Sequence, residues 1–78
     1  MEDKYKAFLS DLGTLLSEYA QEAIQSNQQS KPQDKDFNSG YMMGFHRVIT
    51  LMQSQADAFD IKQSEINIDK VNEADFFA

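Results

Sequence analysis

The sequence predicts an all-α fold, an antiparallel hairpin of two long helices followed by a short C-terminal docking segment. Apolar residues recur three and four positions apart in two long segments, which is the periodicity of amphipathic helices. A polar stretch with the only proline separates these segments, and its position favours a hairpin. The chain has 78 residues, which is enough for one small domain but not for two.

The first predicted helix covers residues 3–26. Its apolar arc includes Leu12, Leu16 and Tyr19, and Gly13 lies at the edge of this arc. Glycine there either lets another helix approach closely or is a tolerated surface residue that weakens the helix. The opposite face carries a stripe of acidic residues with small polar residues beside it: Asp11, Glu18 and Glu22.

Residues 27–37 form a predicted polar loop, and a second helix follows over residues 38–62. Three residues near its start are candidate N-caps, because their side chains can accept hydrogen bonds from free backbone N–H groups: Asp36, Asn38 and Ser39. The apolar arc of this helix spans about 180° of the helical wheel, which is more than one neighbouring helix covers. We therefore expect two hairpins to dimerise into a four-helix bundle.

The predicted tail, residues 63–78, is less periodic than the helices. Ile66 to Ile68 alternates like a short extended segment, and helical turns are expected further on. Because two exposed phenylalanines would lower solubility, we expect at least one of Phe76 and Phe77 to dock. The residues expected to form the core or a dimer contact are Leu12, Leu16, Tyr19, Tyr41, Phe45, Val48, Met52, Phe59 and Phe76.

No residue pattern points to catalysis, a metal or a cofactor. The chain has no cysteine, and His46, its only histidine, has no carboxylate three or four positions away. The acidic residues form no recognisable general acid and base pair, and no glycine-rich phosphate loop is present. We therefore expect a non-enzymatic protein without cofactors; an enzyme would need a site shared between subunits, with His46 as its candidate residue.

The net charge of −6 disfavours direct binding to nucleic acid or to anionic membranes. The same charge permits contact with a basic protein surface. The sequence begins without the basic and apolar segments of a signal peptide, and no apolar run is long enough for a bilayer. We therefore expect a cytoplasmic protein that binds other proteins.

Two functions from different classes fit this sequence. The first is an interaction or regulatory protein that forms a homodimer and presents a helix face to a protein partner. The second is an inhibitor or immunity-type protein, encoded by a phage or mobile element, whose acidic surface blocks a basic target. Met43 lies on the polar side of the second helix. Gly40 and Gly44 have the spacing that allows close helix contact, unless Gly40 simply lies at the start of the helix. The candidate interaction surface comprises Met43, Arg47, His46, Asp11, Glu18 and Glu22.

Overall fold

The computed structural model describes residues 3–77, and its two long helices form an antiparallel hairpin. The first, α1, spans Asp3–Gln28, and the second, α2, spans Lys35–Ala58. Within residues 3–77 there is no β-strand, so the predicted all-α hairpin is confirmed. The molecule measures 47 × 21 × 15 Å, which is little more than one helix in its thinnest direction.

The connection between the helices is shorter than the sequence predicts. A 3₁₀ turn at Pro32–Asp34 runs directly into α2, which therefore begins before Asn38. Proline suits the first turn of a helix because it has no N–H that would need a partner. Asn38 and Ser39 do not cap α2; they donate hydrogen bonds to Ser30 Oγ (2.6 Å) and to Asn27 Oδ1 (2.9 Å). These bonds fasten the start of α2 to the end of α1.

The end of α2 comes earlier than predicted, at Ala58. Asp60 follows in the left-handed conformation, with φ of 57°. Ile61 N–H donates to the carbonyl of Ala56 (2.8 Å), and Asp60 N–H donates to that of Asp57 (3.2 Å). This is the Schellman pattern, in which a left-handed residue after the helix reverses the chain. The reversal directs the tail back along the hairpin.

The tail, residues 61–77, lies across one side of the hairpin, which we call the front face. It contains two 3₁₀ segments, Gln63–Ile66 and Glu73–Phe77, so Ile66 belongs to a turn and not to an extended segment. The tail fills the front face with four buried side chains: Ile66, Ile68, Val71 and Phe76. Phe76 docks as predicted, whereas Phe77 stays 65% exposed.

Small polar residues of α1 hold the tail, although their position in the sequence suggests a solvent-facing side. Ser17 is buried and donates to the carbonyl of Asn67 (3.1 Å), and Ser10 donates to that of Glu65 (2.9 Å). Asn67 adopts a left-handed conformation, and its amide donates to Ser10 O (3.2 Å) and Thr14 Oγ1 (3.1 Å). From α2, Gln53 donates to the carbonyls of two further tail residues: Ile68 and Val71.

Gly13 is buried where the tail crosses α1. A Cβ atom at this position would lie 1.7 Å from the carbonyl oxygen of Ile66. The element that approaches the glycine is therefore the tail backbone and not another helix.

The single chain covers only part of the predicted core. Phe76 is buried, and Leu16, Phe45 and Met52 pack at the edges of two clusters around Ile49 and Ile68. Leu12 is half-buried. The remaining predicted core residues are at least 40% exposed: Tyr19, Tyr41, Val48 and Phe59.

Candidate functional site

The residues of the predicted interaction surface lie on three separate parts of the hairpin. The outer edge of α1, away from α2, carries the acidic stripe: Asp11, Glu18 and Glu22. Within residues 3–77 no basic side chain lies within salt-bridge distance of these three carboxylates, and all three are exposed. Arg47 is exposed on the outer edge of α2, and Met43 is 37% exposed. The structure does not bring these residues together into one patch.

His46 points toward the tail and is mostly covered by it. The imidazole contacts the rings of Phe76 and Phe77 edge-on, with centroid distances of 5.2 and 5.4 Å. Its Nε2 lies 3.4 Å from Glu73 Oε1, a carboxylate that is 27 positions away in the sequence. The helical spacing around His46 gives no signal for this contact, because Glu73 lies far outside one turn of the helix. The imidazole therefore forms part of the contact between α2 and the tail.

The described part of the chain holds no group of three histidine, aspartate or glutamate side chains close enough to share a metal ion. Neither helix has an apolar stretch of the length and hydropathy needed to cross a bilayer, judged over the described residues.

The side of the hairpin opposite the tail, which we call the back face, is apolar and open. It contains nine large apolar side chains that are each at least 39% exposed. From α1 come Tyr5, Phe8, Leu15 and Tyr19. From α2 come Phe37, Tyr41, Val48 and Leu51, and Phe59 follows directly after its last residue. Half-buried Phe45 contacts Tyr19 of α1 at 6.4 Å and Tyr41 of α2 at 5.2 Å, both edge-on, and thereby joins the two rows into one surface.

The spacing along each row is that of a coiled-coil seam. On α1 the row continues through half-buried Leu12, which gives steps of three, four, three and four residues. On α2 the row runs from Phe37 through Gly44 to Leu51 with steps of four, three, four and three. Steps of this kind mark the a and d positions of a heptad, which pack against another helix. The heptad steps agree with the wide apolar arcs in the sequence, which exceed what one neighbouring helix covers.

The area of the back face exceeds what a single soluble chain usually leaves open. The nine side chains, six of them aromatic, expose on average roughly 100 Å², about half of what an aromatic residue buries when covered. The sum is about 900 Å², whereas the largest apolar patch on a typical monomer is about 300–600 Å². Near one end, an apolar cleft of about 310 Å³ opens between Leu9, Leu51 and Phe59. Ile61 and Ile66 of the tail also line this cleft, whereas the nine exposed side chains stay uncovered.

Gly40 and Gly44 lie inside α2 and border the back face. A Cβ atom added at either position would meet no atom of the described chain within 4 Å. Glycine inside a helix costs about 1 kcal/mol relative to alanine. The hairpin thus gains nothing from these two glycines, in contrast to Gly13.

No protein-family model matches the sequence, and neither the curated proteins nor the solved structures contain a significant match.

Proposed function

We propose that this chain is a non-enzymatic interaction protein that acts through its back face. We further propose that the back face pairs with a second copy of the chain to form a four-helix bundle. The observation that supports the proposal is the row of nine exposed apolar side chains across both helices. About 900 Å² per copy is close to the roughly 800 Å² that each partner buries in a stable interface.

A second copy suits this surface because both rows have heptad spacing. Two such hairpins placed face to face bring four seams together around one core, as in antiparallel four-helix bundles. The thin shape of the single chain supports this arrangement, since 15 Å leaves no second layer to cover the back face.

The acidic stripe supports the alternative, an inhibitor of a basic target, less strongly. Its carboxylates are exposed, and an exposed ion pair contributes about 0–1 kcal/mol in most proteins. Burial of apolar surface contributes about 25 cal/mol per Å², and the back face offers far more such area. We therefore assign the main interaction to the back face.

The test is the solution mass measured by light scattering over a wide dilution series. Leu51→Lys places a charge in the back face, whereas Gln25→Lys adds the same charge at an exposed position of α1 outside it. We expect the wild-type chain and Gln25→Lys to be dimers that dissociate on dilution, and Leu51→Lys to be a helical monomer. A wild-type chain that stays monomeric throughout, or a Leu51→Lys variant that dimerises as tightly as Gln25→Lys, would overturn the proposal.

A further inference from the structure

We infer that α1 of one copy packs against α2 of the other copy, with Glu18 facing Arg47 of the partner subunit at both edges of the interface. This inference rests on the proposed function, because it specifies how the two back faces meet. It follows from the register of the hairpin and from the charges at its two outer edges.

The register fixes which residues share a height along the hairpin. Tyr19 contacts Phe45, and Asn27 contacts Ser39 near the connection. In an antiparallel pair the residue numbers at one height have a nearly constant sum, here 64 from the Tyr19 contact and 66 from the Asn27 contact. Glu18 of α1 therefore lies at the height of residues 46 to 48, within one residue of Arg47.

Both charged residues border the back face from its outer edges. Glu18 follows Leu15 by three positions, and Arg47 precedes Leu51 by four, so each lies beside a back-face residue on its own helix. Arg47 and Leu51 also line the same shallow depression. The two charges lie at opposite edges of one hairpin and do not reach each other within a chain.

Two hairpins can stack face to face with two-fold symmetry in two ways. If the axis is parallel to the helices, α1 of one copy covers α2 of the other, and every residue keeps its height. Glu18 then meets Arg47 of the partner subunit, and symmetry repeats this pair at the other edge.

If the axis is perpendicular to the helices, α1 covers α1 and α2 covers α2. If this axis passes the two α1 helices at the height of Leu15, Asp11 of one copy lies within one helical turn of Glu18 of the other. The acidic stripes then face each other, and the arginines approach each other on the opposite edge. Like charges at an interface are unfavourable, so charge complementarity selects the parallel axis.

The open glycines agree with the parallel axis. Tyr19 has the height of residue 45, so it lies against Gly44 of the partner subunit in this arrangement. The space beside Gly44, bordered by Tyr41 and Val48, is apolar and has no occupant in the single chain. An aromatic ring from the second copy fills it, which gives the glycine a packing role that the hairpin alone does not.

The experiment is a charge reversal at each position, followed by mixing of the two variants. Glu18→Lys and Arg47→Glu each place like charges at both edges of their own homodimer. We expect the dissociation constant of each homodimer to rise by about tenfold, from two rim pairs worth about 0.2–1 kcal/mol each. An equimolar mixture of the two variants restores opposite charges at both edges. It should form heterodimers, detected by native mass spectrometry, with near wild-type affinity.

Matched controls separate the local effect from the change in net charge. Asp69→Lys and Lys70→Glu make the same two charge changes at exposed positions of the tail, on the front face. Glu18→Lys lowers the negative net charge of each copy, which reduces the general repulsion between the two copies and by itself favours association. Weaker association of this variant therefore reports the local contact with Arg47 of the partner subunit. We expect the loss in both site variants to shrink at high salt.

The outcomes distinguish this inference from the proposed function. A monomeric wild-type chain overturns both. A wild-type dimer that Glu18→Lys strengthens indicates the perpendicular axis and overturns the inference alone. A dimer whose charge-reversed variants show no preference for the heterodimer over either homodimer also overturns it, because both pairs are then absent.

Discussion

Replacement of Gly13 by alanine should detach part of the tail from α1. The new Cβ atom would lie 1.7 Å from the carbonyl oxygen of Ile66, and ordinary contact begins at about 3.4 Å. Because the obstructing atom belongs to the backbone, no side-chain rotation relieves the clash. The segment around Ile66 must move by the difference, about 1.7 Å.

A movement of this size breaks the hydrogen bonds that hold the segment. Four of them join α1 to the tail: one from Ser10, one from Ser17 and two from the Asn67 amide. At about 1 kcal/mol each, their loss costs about 4 kcal/mol. The higher helix propensity of alanine stabilises α1 by about 1 kcal/mol. The expected net loss is about 3 kcal/mol, most of the 3–5 kcal/mol that a core of this size supplies.

Urea denaturation followed by circular dichroism measures the free energy of unfolding, and hydrogen exchange at Asn67 and Ile68 reports on the tail. Gly40→Ala is the matched control, and both substitutions are made in the Leu51→Lys background, in which we expect the back face to be open. The added methyl group then meets no atom of the chain and should stabilise it by up to about 1 kcal/mol. All samples are compared at one protein concentration. If Gly13→Ala stabilises the chain as Gly40→Ala does, with unchanged exchange in the tail, the tail does not cross α1 at this glycine.

Three further substitutions test other parts of the fold. Phe76→Ala should cost about 3 kcal/mol, because the ring is buried, whereas exposed Phe77→Ala should cost less than about 1 kcal/mol; thermal denaturation compares the two. Asn67→Gly should destabilise the chain less than Asn67→Ala. Both variants lose the hydrogen bonds of the amide, but alanine costs about 1 kcal/mol more in the left-handed backbone conformation. Equal losses of unfolding free energy in urea would contradict this. Asp60→Gly should stabilise the chain by about 1 kcal/mol in the same assay, and a loss would mean that the aspartate side chain contributes to the turn.

The two helices could be predicted from sequence because their apolar periodicity is local. The helix ends could not, because they depend on backbone geometry: Asp60 takes a conformation in which glycine is usual, so it carries no distinctive signal. The side facing the tail was missed for a different reason. Ser10 and Ser17 are small polar residues that suit solvent equally well. Only the return of the tail, 55 and 50 residues later, brings the carbonyls of Glu65 and Asn67 to their hydroxyl groups. The back face was present in the heptad spacing, but its exposure is a property of the assembled hairpin.

The order in which contacts form follows from the path of the tail. The helices meet through a short connection, whereas Ser10 contacts residues 55 and 57 positions later. Closure of a long loop costs more entropy than closure of a short one, so the hairpin forms first and the tail docks last. Before the tail docks, both faces of the hairpin are open, and the tail of a neighbouring chain can bind to the front face in its place. The tight reversal at Asp60 opposes such an exchange, because a swapped tail must leave α2 in another direction. The turn thereby keeps each tail within its own chain in the proposed dimer.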